Sequence, residues 1–234
     1  MSCLQQLAEL NSMAVLLLLQ SDAEQAKRTF VRALRYGRTL YSDDGHERFP
    51  DLQNSPVYSD ILGCSSRRFC FSVEVTTPLL RNVLDLDGPN QIFSRAFLLA
   101  DDIPAAAQET IAIVLFNVGL VHHLEGVRNG KSDDVRHAIV FYKQCFNLVY
   151  AMSEQQQPTV ELLVFMGALC HNLAHCYRSF CQAYCVKAME EELSQIVRWI
   201  EASQQPVCFR DYEFLLTSLF VAETMNDFRY APAA

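Results

Sequence analysis

Residues 115–122 read LFNVGLVH, and the spacing of apolar and small residues in this stretch occurs three times in the chain. The template residues here, separated by 3, 1 and 3 positions, are Leu115, Val118, Gly119 and His122. The two other sets with this spacing are Leu10, Met13, Ala14, Leu17 and Cys170, Leu173, Ala174, Tyr177. Residues three and four apart lie on one face of an α-helix, so the pattern predicts three helices with one packing template.

Each of these helices has a small residue at the third template position, where a neighbouring helix can approach closely: Ala14, Gly119 and Ala174. A second amphipathic helix follows two of them, with faces formed by Ala26, Phe30, Ala33 and by Ala138, Tyr142, Cys145. After the third, a helical period continues without the small residues, at Val186, Met189, Leu193, Ile196, Val197 and Ile200. The chain therefore contains two clear helix pairs and a degenerate third.

On these residues the chain resembles a tetratricopeptide repeat (TPR) protein, whose motif is a helix-turn-helix of about 34 residues. It is similar to the short, divergent TPR-like proteins of microalgae. The first unit matches without a gap, and the second matches after an insertion around 126–134, where GVRNGKSDD predicts a longer loop between the helices. The resemblance implies a mainly all-α fold, a stack of about three antiparallel helix pairs with a C-terminal capping helix.

A non-repeating insertion separates the first and second pairs. FCFSVEV (69–75) alternates as a strand does, and NQIFSRAFLL (90–99) is expected to pair with it, forming a β-hairpin beside the helices. We expect a mobile acidic loop over 42–60 and a helix start at 101–104. The predicted organisation is one domain, 1–234, with repeat 1 at 3–38, the insertion at 39–104, repeat 2 at 105–150, degenerate repeat 3 at 158–203 and the capping helix at 206–228.

Charge and composition exclude some classes of partner. The net charge of -8 disfavours generic binding to nucleic acid or to an anionic membrane. The longest apolar runs are far shorter than the roughly 20 residues of a spanning helix, so no membrane span is expected. A secretory signal has a positively charged N-terminal region, but no Lys or Arg precedes Lys27. The nine cysteines lie mostly in apolar helical patterns, which is typical of reduced, buried thiols. We expect an intracellular protein, cytoplasmic or nuclear.

Residues 170–185, CHNLAHCYRSFCQAYC, combine four cysteines and two histidines. Only His171 with His175, and Cys181 with Cys185, lie one helical turn apart, so a zinc site would require the chain to fold back. The alternative function is a zinc- or thiol-dependent enzyme centred on these four residues. However, the template places Cys170 where the other units have leucine, and the sequence contains neither C-x-x-C nor a Gly-rich phosphate loop. We expect structural thiols, no catalytic residue, no metal and no cofactor.

The TPR resemblance implies that the first helix of each pair lines a concave groove. The implied groove residues are Asn11, Val15, Leu18, Phe116, Leu120, His123, His171, His175 and Arg178. Such a groove, apolar at one end, predicts an adaptor or scaffold that binds a peptide or partner protein, alone or as a subunit of a larger assembly. The chain's own hairpin is an alternative occupant.

A basic stripe follows the second helix: Lys27, Arg28, Arg32, Arg35 and Arg38. Arg28, Arg32 and Arg35 are four and three positions apart and share one helix face. This patch could dock an acidic partner or make the protein an RNA-associated module, and a solvated helix face is the other interpretation. The identity of the partner and the oligomeric state do not follow from the sequence.

Overall fold

The computed structural model describes residues 3–42, 70–75, 92–99, 107–155 and 158–229. Its elements, in chain order, are α1 (Cys3–Leu19), α2 (Ala23–Ser42), β1 (Cys70–Glu74), β2 (Arg95–Leu99), α3 (Ala107–Asn129), α4 (Ser132–Gln155), α5 (Val160–Ser179), α6 (Ala183–Ser203) and α7 (Phe209–Arg229). The predicted class, mainly α-helical with one β-hairpin, is confirmed.

The helices pack in chain order. α1 packs on α2, α3 on α4 and α5 on α6, and these pairs contact each other through α2 with α3 and α4 with α5. Each turn within a pair contains one residue with positive φ, namely Ser21 at 66°, Gly130 at 62° and Cys181 at 54°. A left-handed residue at a helix C-terminus stops the helix and reverses the chain.

The prediction of a longer loop around 126–134 is wrong. α3 continues to Asn129 and α4 begins at Ser132, so the additional residues lengthen the two helices. Asp133 and Asp134 lie in the first turn of α4, where acidic side chains interact favourably with the helix dipole. Gly126 lets the two helices meet closely at this end, because a Cβ there would lie 2.6 Å from Val135 Cγ2.

Most of the template residues lie in the helix-pair interfaces, but Met13 of α1 is 47% exposed, so the template is wrong at that position. A Cβ on Gly119 would lie 2.7 Å from ring carbons of Tyr142, so the glycine admits that ring between α3 and α4. The six template residues of the second helices are fully buried: Ala26, Phe30, Ala33, Ala138, Tyr142 and Cys145. The predicted faces of α2 and α4 are therefore confirmed as core.

The predicted strand pairing is confirmed, but the position of the hairpin is not. β1 and β2 are antiparallel, with Ser72 opposite Phe97. The hairpin does not lie beside the stack, since β2 packs on α1 and α3, and Phe93 and Phe97 are only 1% and 2% exposed. The predicted loop at 42–60 and helix start at 101–104 lie outside the described residues, apart from Ser42 at the end of α2.

The C-terminal helix predicted at 206–228 is present as α7, which packs on α5 and α6. Leu215 of α7 is fully buried against α5 at Gly167, where a Cβ would lie 2.8 Å from Leu215 Cδ1. α7 therefore covers the last helix pair.

Two helices, α3 and α5, are long and apolar enough to cross a membrane by length and composition alone. Within the fold, 83% and 89% of their apolar windows are buried, and core helices of soluble proteins meet the same criterion. The expected absence of a membrane span stays a prediction.

Candidate functional site

The residues predicted to line an exposed groove lie mostly in the protein interior. Eight of the nine are buried, and Arg178 is partly exposed: Asn11, Val15, Leu18, Phe116, Leu120, His123, His171, His175 and Arg178. The prediction of exposure is wrong because residues 92–99, here called the internal strand, fill the trough formed by α1, α3 and α5. The groove is occupied by the chain itself.

Asn117 of α3 holds the internal strand by its backbone. The Phe97 N–H donates to Asn117 Oδ1 at 2.9 Å, and Asn117 Nδ2 donates to the Phe97 carbonyl at 2.8 Å. Nδ2 also donates to Asn11 Oδ1 at 2.9 Å, and Asn11 Nδ2 donates to the Phe97 carbonyl at 3.2 Å. The two buried asparagine amides therefore form hydrogen bonds with each other and with the backbone of the strand.

Asn172 of α5 makes the same contact with Phe93. The Phe93 N–H donates to Asn172 Oδ1 at 2.9 Å, and Asn172 Nδ2 donates to the Phe93 carbonyl at 3.2 Å and to the Tyr142 hydroxyl at 3.1 Å. Asn117 and Asn172 each lie two positions after the first template residue of their units. Two successive units thus bind the strand at equivalent positions.

These amides pair with the edge of the hairpin that faces away from β1, at Phe93 and Phe97. The Val75 N–H donates to the Ser94 carbonyl at 3.1 Å, so Ser94 and the residues two and four positions further along face β1. The backbone of Phe97 consequently points away from β1, towards Asn117. A buried edge strand without hydrogen-bond partners would leave its backbone polar groups unsatisfied, and the asparagines supply partners for the backbone of Phe93 and Phe97.

Aromatic side chains anchor the internal strand. The rings of Phe93 and Phe97 stack with centroids 5.7 Å apart. Phe97 meets Phe116 of α3 at 5.0 Å and Phe165 of α5 at 4.7 Å, edge to face, and Phe93 meets Phe214 of α7 at 5.2 Å. Such pairs add about 0.5–1.5 kcal/mol each to the free energy of burial. The two phenylalanines therefore supply the side-chain part of the recognition.

A polar network connects the hairpin to α7. Arg95 Nε lies 2.9 Å from Asp211 Oδ1, and the Ser72 hydroxyl donates to Asp211 Oδ2 at 2.7 Å. Arg95 also donates to the Ser72 hydroxyl and carbonyl, at 2.8 and 3.1 Å. Since Asp211 is buried, this ion pair has little screening by solvent.

The predicted groove histidines belong to a buried network. His123 Nε2 lies 2.8 Å from His175 Nδ1, and the Tyr142 hydroxyl lies 3.5 Å from His123 Nδ1. Burial, and next to it the repulsion that a charged ring would meet from His175 and His171, hold the pKa of His123 well below its ordinary value. Through His175, this ring connects α3 to α5.

The cysteines of residues 170–185 do not form a common centre with the histidines. Burial raises the pKa of the thiols of Cys170 and Cys176, whereas a nucleophilic cysteine requires a lowered pKa. Among the described residues, ligand atoms of three or more His, Cys, Asp or Glu side chains come together only at His122, Asp134 and His137. His171, His175, Cys181 and Cys185 do not converge.

The basic stripe is divided between solvent and the helix interface. Arg28, Arg32 and Arg35 are exposed, as their shared face predicts. Lys27 instead forms ion pairs with Glu125 of α3 and Asp134 of α4. The side chain of Arg38 lies outside the described residues.

No protein-family model matches the chain, and no curated protein or solved structure shows significant similarity to it. What the protein does is therefore inferred from the geometry of the trough, and the TPR-like identity of its helix pairs stays a prediction.

Proposed function

We propose that this protein is a non-enzymatic adaptor of the TPR-like class, whose trough binds an extended segment of a partner protein in place of the internal strand. The supporting observation is that Asn117 and Asn172 each bond both the N–H and the C=O of one strand residue. These contacts recognise backbone, so they do not depend on the sequence of the bound segment. Backbone hydrogen bonds with side-chain pockets are the means by which many proteins bind extended peptides.

The resident strand indicates the chemistry of the partner segment. Phe93 and Phe97, four positions apart in the chain, fill aromatic pockets between α3, α5 and α7. We therefore propose a partner segment with two aromatic or large aliphatic side chains at this separation.

Tethering favours the resident strand over a free peptide. A short connection gives a bound segment an effective concentration in the millimolar range. A partner at micromolar concentration therefore competes only where the hairpin is loosened. The Arg95–Asp211 ion pair holds the hairpin from outside the trough, so its removal loosens the strand and leaves both asparagines unchanged.

The test is the binding of a fluorescent peptide with the sequence of residues 90–99, NQIFSRAFLL, measured by anisotropy. We expect the Arg95→Ala variant to bind it at least about tenfold more tightly than the natural protein, and added Asn117→Ala to remove the gain. Arg136→Ala, which removes an arginine from an exposed ion pair, is the matched control.

Circular dichroism establishes that each variant is folded. A folded Arg95→Ala protein that binds no peptide would contradict the proposal. Equal binding of a peptide with both phenylalanines changed to alanine would contradict the proposed side-chain recognition.

An enzyme centred on His171, His175, Cys181 and Cys185 receives no support from this geometry, because these residues do not converge and His175 is bonded to His123. An RNA-associated role of Arg28, Arg32 and Arg35 has only their exposure in its favour.

A further inference from the structure

A second cluster of polar side chains lies outside the trough, where α3 and α4 meet. His122 Nδ1 lies 2.9 Å from Asp134 Oδ1, and the rings of His122 and His137 are 5.3 Å apart. One ligand atom from each of His122, Asp134 and His137 can be chosen so that all three lie within 4.8 Å of one another. No other group of this kind occurs in the described ranges.

The spacing of these residues suits chelation. Asp134 and His137 are three positions apart on α4, and His122 and Glu125 are three apart on α3, so each pair occupies one helix face. Two ligands of a tetrahedral zinc ion with bonds of about 2.0–2.1 Å lie about 3.3 Å apart. The ligand atoms here lie within 4.8 Å of one another, and rotation of the exposed His137 side chain can bring its ring nitrogen to the shorter separation.

A cation already belongs to this cluster. The Lys27 ammonium from α2 pairs with Glu125 and lies 3.4 Å from Asp134 Oδ1, so it neutralises part of the charge of two carboxylates. Two carboxylates with one lysine leave a net negative charge if the histidines are neutral. A divalent ion bound by Asp134 would compete with the lysine for this carboxylate and satisfy the excess charge.

We infer that His122, Asp134 and His137 form a binding site for a divalent transition-metal ion of the zinc class. The ion joins α3 to α4 and leaves coordination positions for Glu125 or water. Two imidazoles and one carboxylate are a donor set that zinc, cobalt and nickel accept. The site is separate from the trough, so it does not depend on the proposed adaptor function.

The test is a titration of the full chain with Co²⁺, followed by visible absorption, after alkylation of exposed thiols. We expect saturation at one ion per chain. His137→Ala and Asp134→Asn should each weaken binding by more than about tenfold, since even residues that only support metal ligands contribute about 10- to 100-fold in affinity. Asp133→Asn is the matched control, because this neighbouring carboxylate is exposed and pairs with Arg136.

A second variant examines the role of the lysine. Lys27→Met should bind Co²⁺ more tightly than the natural protein, because it removes the competing cation. Zn²⁺ should raise the unfolding temperature of the natural protein and of Asp133→Asn, but not that of His137→Ala. Absence of saturable binding, or equal affinity of the natural protein and His137→Ala, would overturn the inference.

Discussion

Asn117 and Phe97 form a two-bond pair in which a side-chain amide replaces a neighbouring strand, with donor–acceptor distances of 2.9 and 2.8 Å. This arrangement lets a helix bind the edge of a β-hairpin within the core. The internal strand is therefore part of the repeat interface, and its removal would expose polar and aromatic groups of three helices.

Asn117→Ala should destabilise the protein by about 2–4 kcal/mol. The substitution removes the acceptor of the Phe97 N–H and the donor to the side-chain oxygen of Asn11. Each buried polar group left unsatisfied costs about 1–3 kcal/mol. Urea unfolding measures the change. Asn129→Ala, at an exposed asparagine of the same helix, should change the free energy of unfolding by less than about 0.5 kcal/mol. Equal effects of the two variants would refute the role of Asn117.

Gly119→Ala should destabilise the protein by about 1–3 kcal/mol, because the added carbon would lie 2.7 Å from the Tyr142 ring in a packed interface. Gly37→Ala is the matched buried glycine. Its added carbon would lie 3.2 Å from Ile111 Cγ1 and 3.7 Å from Leu7 Cδ2, a milder approach, and a gain in helix propensity of up to about 1 kcal/mol offsets it. Thermal unfolding that ranks Gly37→Ala as the more harmful change would contradict the close packing of α3 on α4.

Arg95→Ala should cost about 2–3 kcal/mol, because it leaves the carboxylate of Asp211 buried without its cation. Arg136→Ala removes an ion pair whose side chains are 64% and 81% exposed and a cation–π contact with Phe180, and it should cost less than about 1 kcal/mol. Chemical denaturation of both variants makes the comparison. A loss of less than about 0.5 kcal/mol for Arg95→Ala would mean that the hairpin does not depend on α7.

Acidification should destabilise the protein through His123. Burial, and next to it repulsion between this ring and those of His175 and His171 when they are protonated, hold its pKa below 6.5 in the folded state, so the unfolded chain binds a proton first as the pH falls. The contribution of His123 to the free energy of unfolding is fully present above about pH 6.5. Below that pH the free energy of unfolding decreases by up to about 1.4 kcal/mol per pH unit for this histidine. Unfolding free energies between pH 7.5 and 5 measure the slope, which His123→Gln should reduce. An unchanged slope in that variant would assign the effect to other groups.

The helix faces and the strand pairing could be predicted because they depend on local periods of 3.6 and 2 residues. The prediction of a loop at 126–134 is wrong because Gly, Asn, Ser and Asp favour turns, whereas Ser132 and Asp133 also suit the start of a helix. The template and the TPR resemblance indicate which residues line the groove, but they leave open whether a partner or the chain's own hairpin occupies it. Asn117 and Asn172 lie at the same place relative to the template, two positions after its first residue. This repetition is the signal in the sequence that points to both asparagines as functional residues.

The clusters around Lys27 and Arg95 could not be predicted from spacing. Lys27 and Asp134 are 107 residues apart, and Arg95 and Asp211 are further apart than that. Only the stacking of the helix pairs and the entry of the hairpin bring these charges together. Periodic patterns describe faces, whereas such contacts depend on which faces meet.

Amide hydrogen exchange of the internal strand, followed by NMR, tests most directly whether the trough is filled. The amides of Phe93 and Phe97 point away from β1 and are held by Asn172 and Asn117, so we predict exchange as slow as that of Ala96, which faces β1. Asn117→Ala should accelerate the Phe97 amide. Rapid exchange of both phenylalanine amides beside a protected Ala96 would show a hairpin that forms without entering the trough, and would contradict this account.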